Sequence, residues 1–138
     1  MPLILRKLAE LDNYLGQISG YSGVSIEKYR KDWKVQRIVE RTLQMMIETC
    51  VDIANHVISD SNLRPPSSYA DAFVVLKENG IISEKLSINL QKMAKFRNVV
   101  VHQYEQVDAS VVVLILTRHI QDFERFKKAV LKAIKGIS

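Results

Sequence analysis

The sequence is poor in residues that break, cross-link or anchor a chain. Its 138 residues include three prolines, five glycines and one cysteine. So few chain-breaking residues favour long helices over many short strands. A single cysteine excludes an internal disulfide and a thiolate metal cluster, and the apolar stretch around Cys50 predicts a buried, unreactive thiol. The longest apolar run, Val111–Leu116, is far shorter than the roughly 20 residues that a membrane helix needs.

Charge and length narrow the class of protein further. The start, MPLILRKLAE, has no basic region followed by a sustained apolar run, so we expect a cytoplasmic protein with no membrane partner. The net charge of +5 and pI near 9.4 favour a polyanionic partner, either nucleic acid or an acidic protein. A merely soluble basic protein fits the charge equally well. The length predicts a single domain over residues 1–138.

Apolar residues recur at helical spacing along most of the chain. The first segment places them four, three, four and three residues apart, at Ile4, Leu8, Leu11, Leu15 and Ile18. The second segment keeps a similar rhythm, including Trp33, from about Ile26 to Ser59. A helix of that length exceeds the diameter of a small domain, so we expect it to project or to pack against a second subunit.

Three further helices follow from capping residues and breakers. After the helix-breaking Arg64–Pro66, Ser67 or Ser68 caps a short helix that stops at Asn79–Gly80. Ser83 opens the next helix, and the last one starts at Asp108. Although Val111–Leu116 is rich in β-branched residues, we reject a strand there because the helical rhythm continues and no partner strand exists. The predicted fold is all-α, an up-and-down four-helix bundle with an extra short helix.

The helix that Ser83 opens carries the most informative residues. Its inner stripe, Leu86, Leu90 and Met93, extends by steps of four to Arg97 and then Val101. An arginine in a core position needs an anion, supplied by the protein or by a ligand, because burying an unpaired guanidinium is costly.

The residues after Arg97 add a group that can titrate. His102 is five positions further on, about 140° around the helix, and shares a face with Asn98, whose amide could fix the imidazole tautomer. Tyr104 returns to the arginine face only if the helix continues. The three side chains therefore converge only if the helix end bends or a second subunit contributes its copy. On periodicity alone, a helix-capping His102 and an Arg97 paired with a buried carboxylate are the simpler interpretation.

The segment Arg97-Asn98-x-x-x-His102-x-Tyr104 resembles the R-x-x-x-x-H-x-Y signature of HepT-type toxins in the HEPN superfamily. The resemblance covers nearly the whole chain, including Val51–His56, Tyr69–Phe73 and Met93–Asn98. It implies a HEPN-like fold and a homodimer in which two motif segments face each other across one cleft. It also implies a metal-independent endoribonuclease toxin of a type II or type VII toxin–antitoxin system.

The resemblance also implies residue roles. Arg97 and His102 would be the catalytic pair, with Asn98 in support, and no cofactor or metal would be needed. Tyr104 would receive AMP from the antitoxin, a minimal nucleotidyltransferase (MNT), which would silence the toxin. The alternative is a non-catalytic helical subunit that binds nucleotide or positions substrate for a nucleotidyltransferase.

Two other polar groups are candidates for the site. Asp52, Asn55 and His56 form a patch that could line the cleft, with Asp52 as the anion facing Arg97; as a metal site the patch lacks a third ligand nearby. A basic stripe at helical spacing could follow an RNA backbone, or could be a solvated face braced by Glu27, Asp32 and Glu40. The stripe consists of Arg30, Lys34, Arg37 and Arg41. His119 lies among apolar residues and is expected to be structural.

Overall fold

A computed structural model describes residues 2–137 as helices joined by short loops. The helices are α1 (Pro2–Ile18), α2 (Ile26–Lys31), α3 (Trp33–Asp60), α4 (Tyr69–Glu78), α5 (Glu84–His102), α6 (Ala109–Leu114) and α7 (Ile120–Ile137). Ser19–Tyr21 and Tyr104–Gln106 form 3₁₀ turns, and a π-helical turn, Ile115–His119, joins α6 to α7. The residues from 2 to 137 include no strand. The predicted all-α bundle is confirmed.

Four long members make the bundle and a short helix completes it. The long members are α1, α3, α5 and the continuous run formed by α6, the π turn and α7. Helix α3 packs against α1 on one side and against α4 and α5 on the other, while α7 contacts α1, α3 and α5. Helix α4, the extra short helix, is held between α3 and α5. The site described below lies on α5, whose side chains are positioned by packing against α3, α4 and α7.

Side-chain caps set the starts of these helices. The side-chain oxygens of Ser68, Ser83 and Asp108 accept hydrogen bonds from backbone N–H groups two or three residues on, at the starts of α4, α5 and α6. Each cap satisfies an N–H that would otherwise have no partner in the first helical turn. Gly80, with φ of +72°, ends α4 in the left-handed conformation that glycine adopts without strain. The predicted boundaries at Ser68, Ser83, Asp108 and Gly80 are confirmed.

The apolar stripes meet in one core. The stripe of α1 is buried at Ile4, Leu8, Leu11 and Ile18, with Leu15 at its edge. Phe73 of α4 meets Phe126 of α7 edge to face, with ring centroids 5.9 Å apart. No helix within residues 2–137 has both the length and the apolarity to cross a membrane.

The prediction of one continuous helix from Ile26 to Ser59 is wrong. The chain leaves helical geometry at Asp32, which has φ −119° and ψ 92°, and a new helix starts at Trp33. The Asp32 carboxylate accepts a hydrogen bond from the Val35 N–H at 3.1 Å. An aspartate that caps a new helix competes with the continuation of the old one. Trp33, assigned to the apolar rhythm, is 64% exposed.

The run Val111–Leu116 is helical, as predicted, but the helix is not uniform. Its hydrogen bonding widens into a π turn at Ile115–His119 before the α-helix resumes at Ile120. One residue more per turn rotates everything that follows by about 100° relative to a regular helix. Phe123 and Val130 still reach the core. No sequence pattern signalled this turn.

Candidate active site

Arg97 lies on the inner side of α5 and is held by an anion. Its side chain is 15% exposed, and its Nε donates a hydrogen bond to Oε2 of Glu48 on α3 at 2.9 Å. The expectation that a buried arginine at this position needs an anionic partner is confirmed. The prediction that Asp52 supplies the anion is wrong.

Asp52 lies one turn beyond Glu48 on α3 and points elsewhere. It is exposed and forms an ion pair with Lys7 of α1, with 3.7 Å between Nζ and Oδ2. Glu48 was not singled out from the sequence. The sequence does contain a sign of its role. Glu48 and Asp52 lie four residues apart and so share one face of α3, which makes both of them candidates for the anionic partner of Arg97.

Three further contacts orient the Arg97 guanidinium. Gln44 donates a hydrogen bond to the same Glu48 oxygen at 2.9 Å and so fixes the carboxylate. The Tyr69 ring lies 4.8 Å from the guanidinium carbon, within cation–π range. Nη1 donates to Oδ1 of Asn98 at 3.2 Å. Within residues 2–137, Nη2 has no hydrogen bond, so part of the donor fork is free to bind an anion.

Asn98 therefore supports Arg97 and not the imidazole. The sequence places Asn98 and His102 on one helical face, and we expected the amide to fix the histidine tautomer. In the described part of the chain the His102 side chain is exposed and has no hydrogen-bond partner, whereas the Asn98 side-chain oxygen accepts from Arg97. The imidazole is therefore accessible from solvent and is not held by the amide.

The chain bends at the end of α5, which is one of the two conditions for convergence given above. Gln103 leaves helical geometry, with φ −140° and ψ 46°, while its N–H still bonds the Val99 carbonyl at 2.8 Å. The next three residues form the turn Tyr104–Gln106, and Tyr104 is 63% exposed. His102 and the four residues after it line an open depression of about 260 Å³.

The inner stripe of α5 ends at Val100 and not at Val101. Val101 is 37% exposed, whereas Phe96 and Val100 are buried. From Leu86 the inward-facing residues of α5 follow at steps of four, three, four and three. The step after Arg97 is therefore three, to Val100, and the predicted step of four passes the core by one residue. The exposed Val101 instead adds an apolar side chain to the surface beside His102.

Within one chain, Arg97 and His102 face different surroundings. Arg97 is enclosed by side chains of α3 and α4, whereas His102 lines the depression at the end of α5, and Arg97 is not among the residues lining it. The geometry of one chain therefore gives an oriented cation and an accessible titratable group on one helix, about 140° apart around its axis.

The other polar residues of α3 stand apart from this pair. Within residues 2–137, no hydrogen bond or ion pair joins Asp52, Asn55 or His56 to Arg97, His102 or Tyr104. Asn55 lines a separate depression with the loop that follows α3. Their support of the site stays a prediction. No group of three or more potential metal ligands occurs in the same range.

The basic stripe is exposed but divided by the break at Asp32. Arg30 belongs to α2 and lies 3.5 Å from the Ser110 hydroxyl, whereas Lys34, Arg37 and Arg41 follow one face of α3. Arg37 is 3.5 Å from Glu40, one of the acidic residues expected to brace a solvated face. An RNA-binding role for the stripe stays a prediction.

Cys50 and His119, the two residues predicted to be structural, lie in the interior or at its edge. Cys50 is fully buried, and burial raises the pKa of its thiol far above its ordinary value, so it is no nucleophile. His119 is partly buried and its Nδ1 lies 3.1 Å from Oδ2 of Asp122.

Comparison with known proteins places nearly the whole chain among HepT-like ribonucleases. The profile of the family described as Ribonuclease HepT-like matches residues 11–130. The mRNA nuclease HepT of Shewanella oneidensis is 35% identical over 124 residues, which cover 90% of this chain and 92% of that protein. The tRNA nuclease HepT of Aphanizomenon flos-aquae is 26% identical over 132 residues, 94% of this chain and 88% of that protein.

A solved structure has the same fold. It is a tri-AMPylated HEPN toxin from Shewanella oneidensis in complex with MNT antitoxin, with a TM-score of 0.87 and 34% identity over 96% of this chain and 98% of that one. The all-helical bundle of this chain is therefore the fold of a HEPN toxin. The chain belongs to the HepT-like ribonuclease family.

Proposed function

We propose that this chain is the ribonuclease toxin of a toxin–antitoxin pair and cuts RNA without a metal ion. The observation that carries the proposal is the arrangement of Arg97, whose Nε is anchored by Glu48 while Nη2 remains free, on the same helix as the exposed His102. Membership of the HepT-like family and the nuclease names of two relatives support it.

RNA carries its own nucleophile, so the protein needs to move protons and stabilise charge. The 2′-oxygen attacks the adjacent phosphorus, an O2′–P bond forms, and the P–O5′ bond breaks. His102 takes the 2′-hydroxyl proton or delivers a proton to the leaving 5′-oxygen. The free edge of the Arg97 guanidinium donates to the phosphorane oxygens as negative charge develops on them. The products are a cyclic phosphate and a 5′-hydroxyl end.

The reaction requires two copies of the chain. Arg97 and His102 are about 140° apart around α5, so a phosphodiester that touches both fits best between α5 helices of two subunits. Exposed apolar surface at Val101 and Tyr104, beside His102, favours such a contact. In a two-fold dimer, the arginine of one subunit would face the histidine of the other, and RNA would bind along the shared cleft.

Tyr104 is the residue at which the antitoxin switches off the ribonuclease. Its side chain is 63% exposed and its hydroxyl has no hydrogen-bond partner within residues 2–137, so an MNT antitoxin can reach it to transfer AMP. The added phosphate is an anion close to the catalytic helix, where it competes with RNA phosphate for Arg97. The solved complex of a tri-AMPylated HEPN toxin with MNT antitoxin supports this form of control.

RNA cleavage in the presence of EDTA tests the proposal. Wild-type protein, freed of antitoxin and AMP, should cut RNA with EDTA present, whereas His102→Ala and Arg97→Ala should each lose about 100-fold or more of the rate. Arg6→Ala, an exposed arginine on α1, is the matched control and should cut normally.

Two outcomes would contradict the proposed ribonuclease activity. Equal cutting by wild type and His102→Ala would indicate a contaminating nuclease. No cutting by freshly purified wild-type protein would favour the alternative, a non-catalytic subunit that positions substrate for a nucleotidyltransferase.

A further inference from the structure

A second polar cluster, centred on Asp122, takes no part in the proposed reaction. Asp122 of α7 is 3% exposed and accepts three hydrogen bonds. Its Oδ2 is 3.1 Å from both His119 Nδ1 and Asn89 Nδ2, and its Oδ1 is 2.9 Å from Nη1 of Arg125. Because a carboxylate only accepts, His119 presents Nδ1–H to it, which leaves Nε2 to face other groups.

The cluster lies at the π turn. His119 is the last residue of that turn, and Asp122 and Arg125 follow it within two turns of α7. A π turn bonds its backbone less favourably than an α-helix, and such turns concentrate at functional sites. The same turn carries Arg118, which is exposed.

The cluster forms the wall of a cationic pocket of about 280 Å³ between the start of α5 and the π turn. Asp122 is the one acidic residue among those that line it. The donors and cations around it are Ser83, Lys85, Asn89, Arg118, His119 and Arg125. Arg125 pairs with Asp122. Lys85 and Arg118 have no ion pair within residues 2–137, so the pocket carries two positive charges that no carboxylate of the described chain balances.

An apolar pocket of about 270 Å³ adjoins the cationic one. Its apolar lining comes from Met93 and Phe96 of α5 and from the residues facing them, Val111, Leu114 and Ile115. The two pockets share Asn89 and His119. A ligand that fills both therefore has an anionic part and an apolar part on either side of a histidine and an amide.

We infer that these joined pockets bind a nucleotide unit, separate from the Arg97–His102 site. The phosphate lies between Lys85 and Arg118, and the base enters the apolar pocket against Phe96, where stacking on an aromatic ring favours any base. Asn89 lies at the boundary, where an amide meets the polar edge of a base or sugar. The nucleotide is either free or part of an RNA strand.

Titration of the unmodified protein, followed by amide NMR shifts at low salt, tests the inference. The probes are inorganic phosphate, adenosine, AMP, and a short 2′-O-methyl oligoribonucleotide that lacks the nucleophile needed for cleavage. We expect AMP to bind about tenfold more tightly than either of its parts, with shifts around the π turn and the start of α5.

Two variants at exposed residues test the contribution of each pocket to binding separately. Arg118→Gln should weaken phosphate and AMP about tenfold but leave adenosine unchanged. Leu114→Gln should weaken adenosine and AMP but leave phosphate unchanged. Both residues are exposed, so both variants should fold. Arg6→Gln on α1, which removes the same charge elsewhere, should change none of these affinities.

The outcomes distinguish the sources of the nucleotide. Binding of AMP that both variants weaken supports a site for free nucleotide. Binding of the oligonucleotide alone, weakened by both variants, supports a subsite for RNA. The inference is overturned if neither probe binds, if the shifts are confined to the depression at His102, or if Arg118→Gln binds as well as wild type. None of these results depends on whether RNA is cleaved.

Discussion

Replacement of Glu48 tests how the Arg97 guanidinium is held. Glu48→Gln keeps the shape of the side chain and one oxygen but removes the charge that accepts the Arg97 Nε–H at 2.9 Å. Glu48→Ala removes the contact altogether. Because Glu48 lies on α3 and the arginine on α5, the change leaves both members of the proposed catalytic pair in place.

The expected loss of rate follows from the torsions that the contact fixes. The Nε bond holds the last two torsions of Arg97, each with about three accessible wells, so its complete loss leaves up to about nine arrangements. The Tyr69 ring and Asn98 still restrict some of these. We therefore expect kcat to fall about threefold in Glu48→Gln and about tenfold in Glu48→Ala. KM should stay level or fall, since a negative charge near the RNA phosphate has been removed.

The loss of stability should be small enough to keep the variants folded. A hydrogen bond to a charged group contributes about 1.5–3 kcal/mol, and partial solvent exposure of Glu48, at 28% of its side chain, reduces this to about 1 kcal/mol. For a domain of this size that corresponds to a fall in Tm of about 3 °C. An assay at 25 °C therefore measures the folded protein.

Steady-state cleavage of a fluorogenic RNA would give kcat and KM separately. Glu10→Gln controls for the loss of an ion pair elsewhere, because Glu10 lies on α1, 3.5 Å from Lys7. If Glu48→Ala kept full kcat while Arg97→Ala, prepared in the same way, was inactive, the argument that Glu48 orients the guanidinium would be refuted.

Three other predictions concern the dimer, the switch and the pH dependence of stability. When Arg97→Ala and His102→Ala are unfolded, mixed and refolded together, the mixture should regain about a quarter of wild-type cleavage. Half of the dimers then contain one chain of each variant, and each such dimer has one intact site of two. No recovery would indicate that Arg97 and His102 act as a pair within one chain. Co-expressed with the antitoxin, Tyr104→Phe should lose the AMP adduct seen by mass spectrometry on wild type, and AMP retained elsewhere on the variant would contradict the switch. Burial raises the pKa of Glu40 above its ordinary value, with Arg37 opposing this, so the folded state favours the protonated carboxyl and loses stability as pH rises through and above pH 4.5. Glu40→Gln should therefore raise Tm at pH 7, by an increment that shrinks toward pH 4, and an increment independent of pH would be evidence against this linkage.

Local rules predicted most of the fold from the sequence. The caps at Ser68, Ser83 and Asp108 depend on a side-chain oxygen meeting nearby backbone N–H groups, so their positions can be predicted without any tertiary contact. The stripe of α1 follows from period alone, and so does the rejection of a strand at Val111–Leu116. These features depend on neighbours a few residues away in the chain.

Two of the errors involve a choice between near-equal local options. A cap at Asp32 and a continuous helix differ by little in local free energy, and packing of α2 against α3 and α6 decides between them. Glu48 and Asp52 are on one face of α3, and the level at which α5 crosses α3 determines which of them meets Arg97. The sequence does not specify that level.

The arrangement of α5 separates a rigid part of the site from an accessible part. Arg97 is fixed by contacts to two other helices, so its donors are oriented before a phosphate arrives and lose little entropy on binding. His102 and Tyr104 follow at the helix end, where neither side chain has a hydrogen-bond partner within residues 2–137 and both are reachable from solvent. A proton carrier needs such access, and so does a modified tyrosine. If Tyr104 receives AMP as proposed, the new charge is added at an exposed side chain and displaces no core residue. The modified protein should therefore keep the Tm of the unmodified one while losing its affinity for RNA.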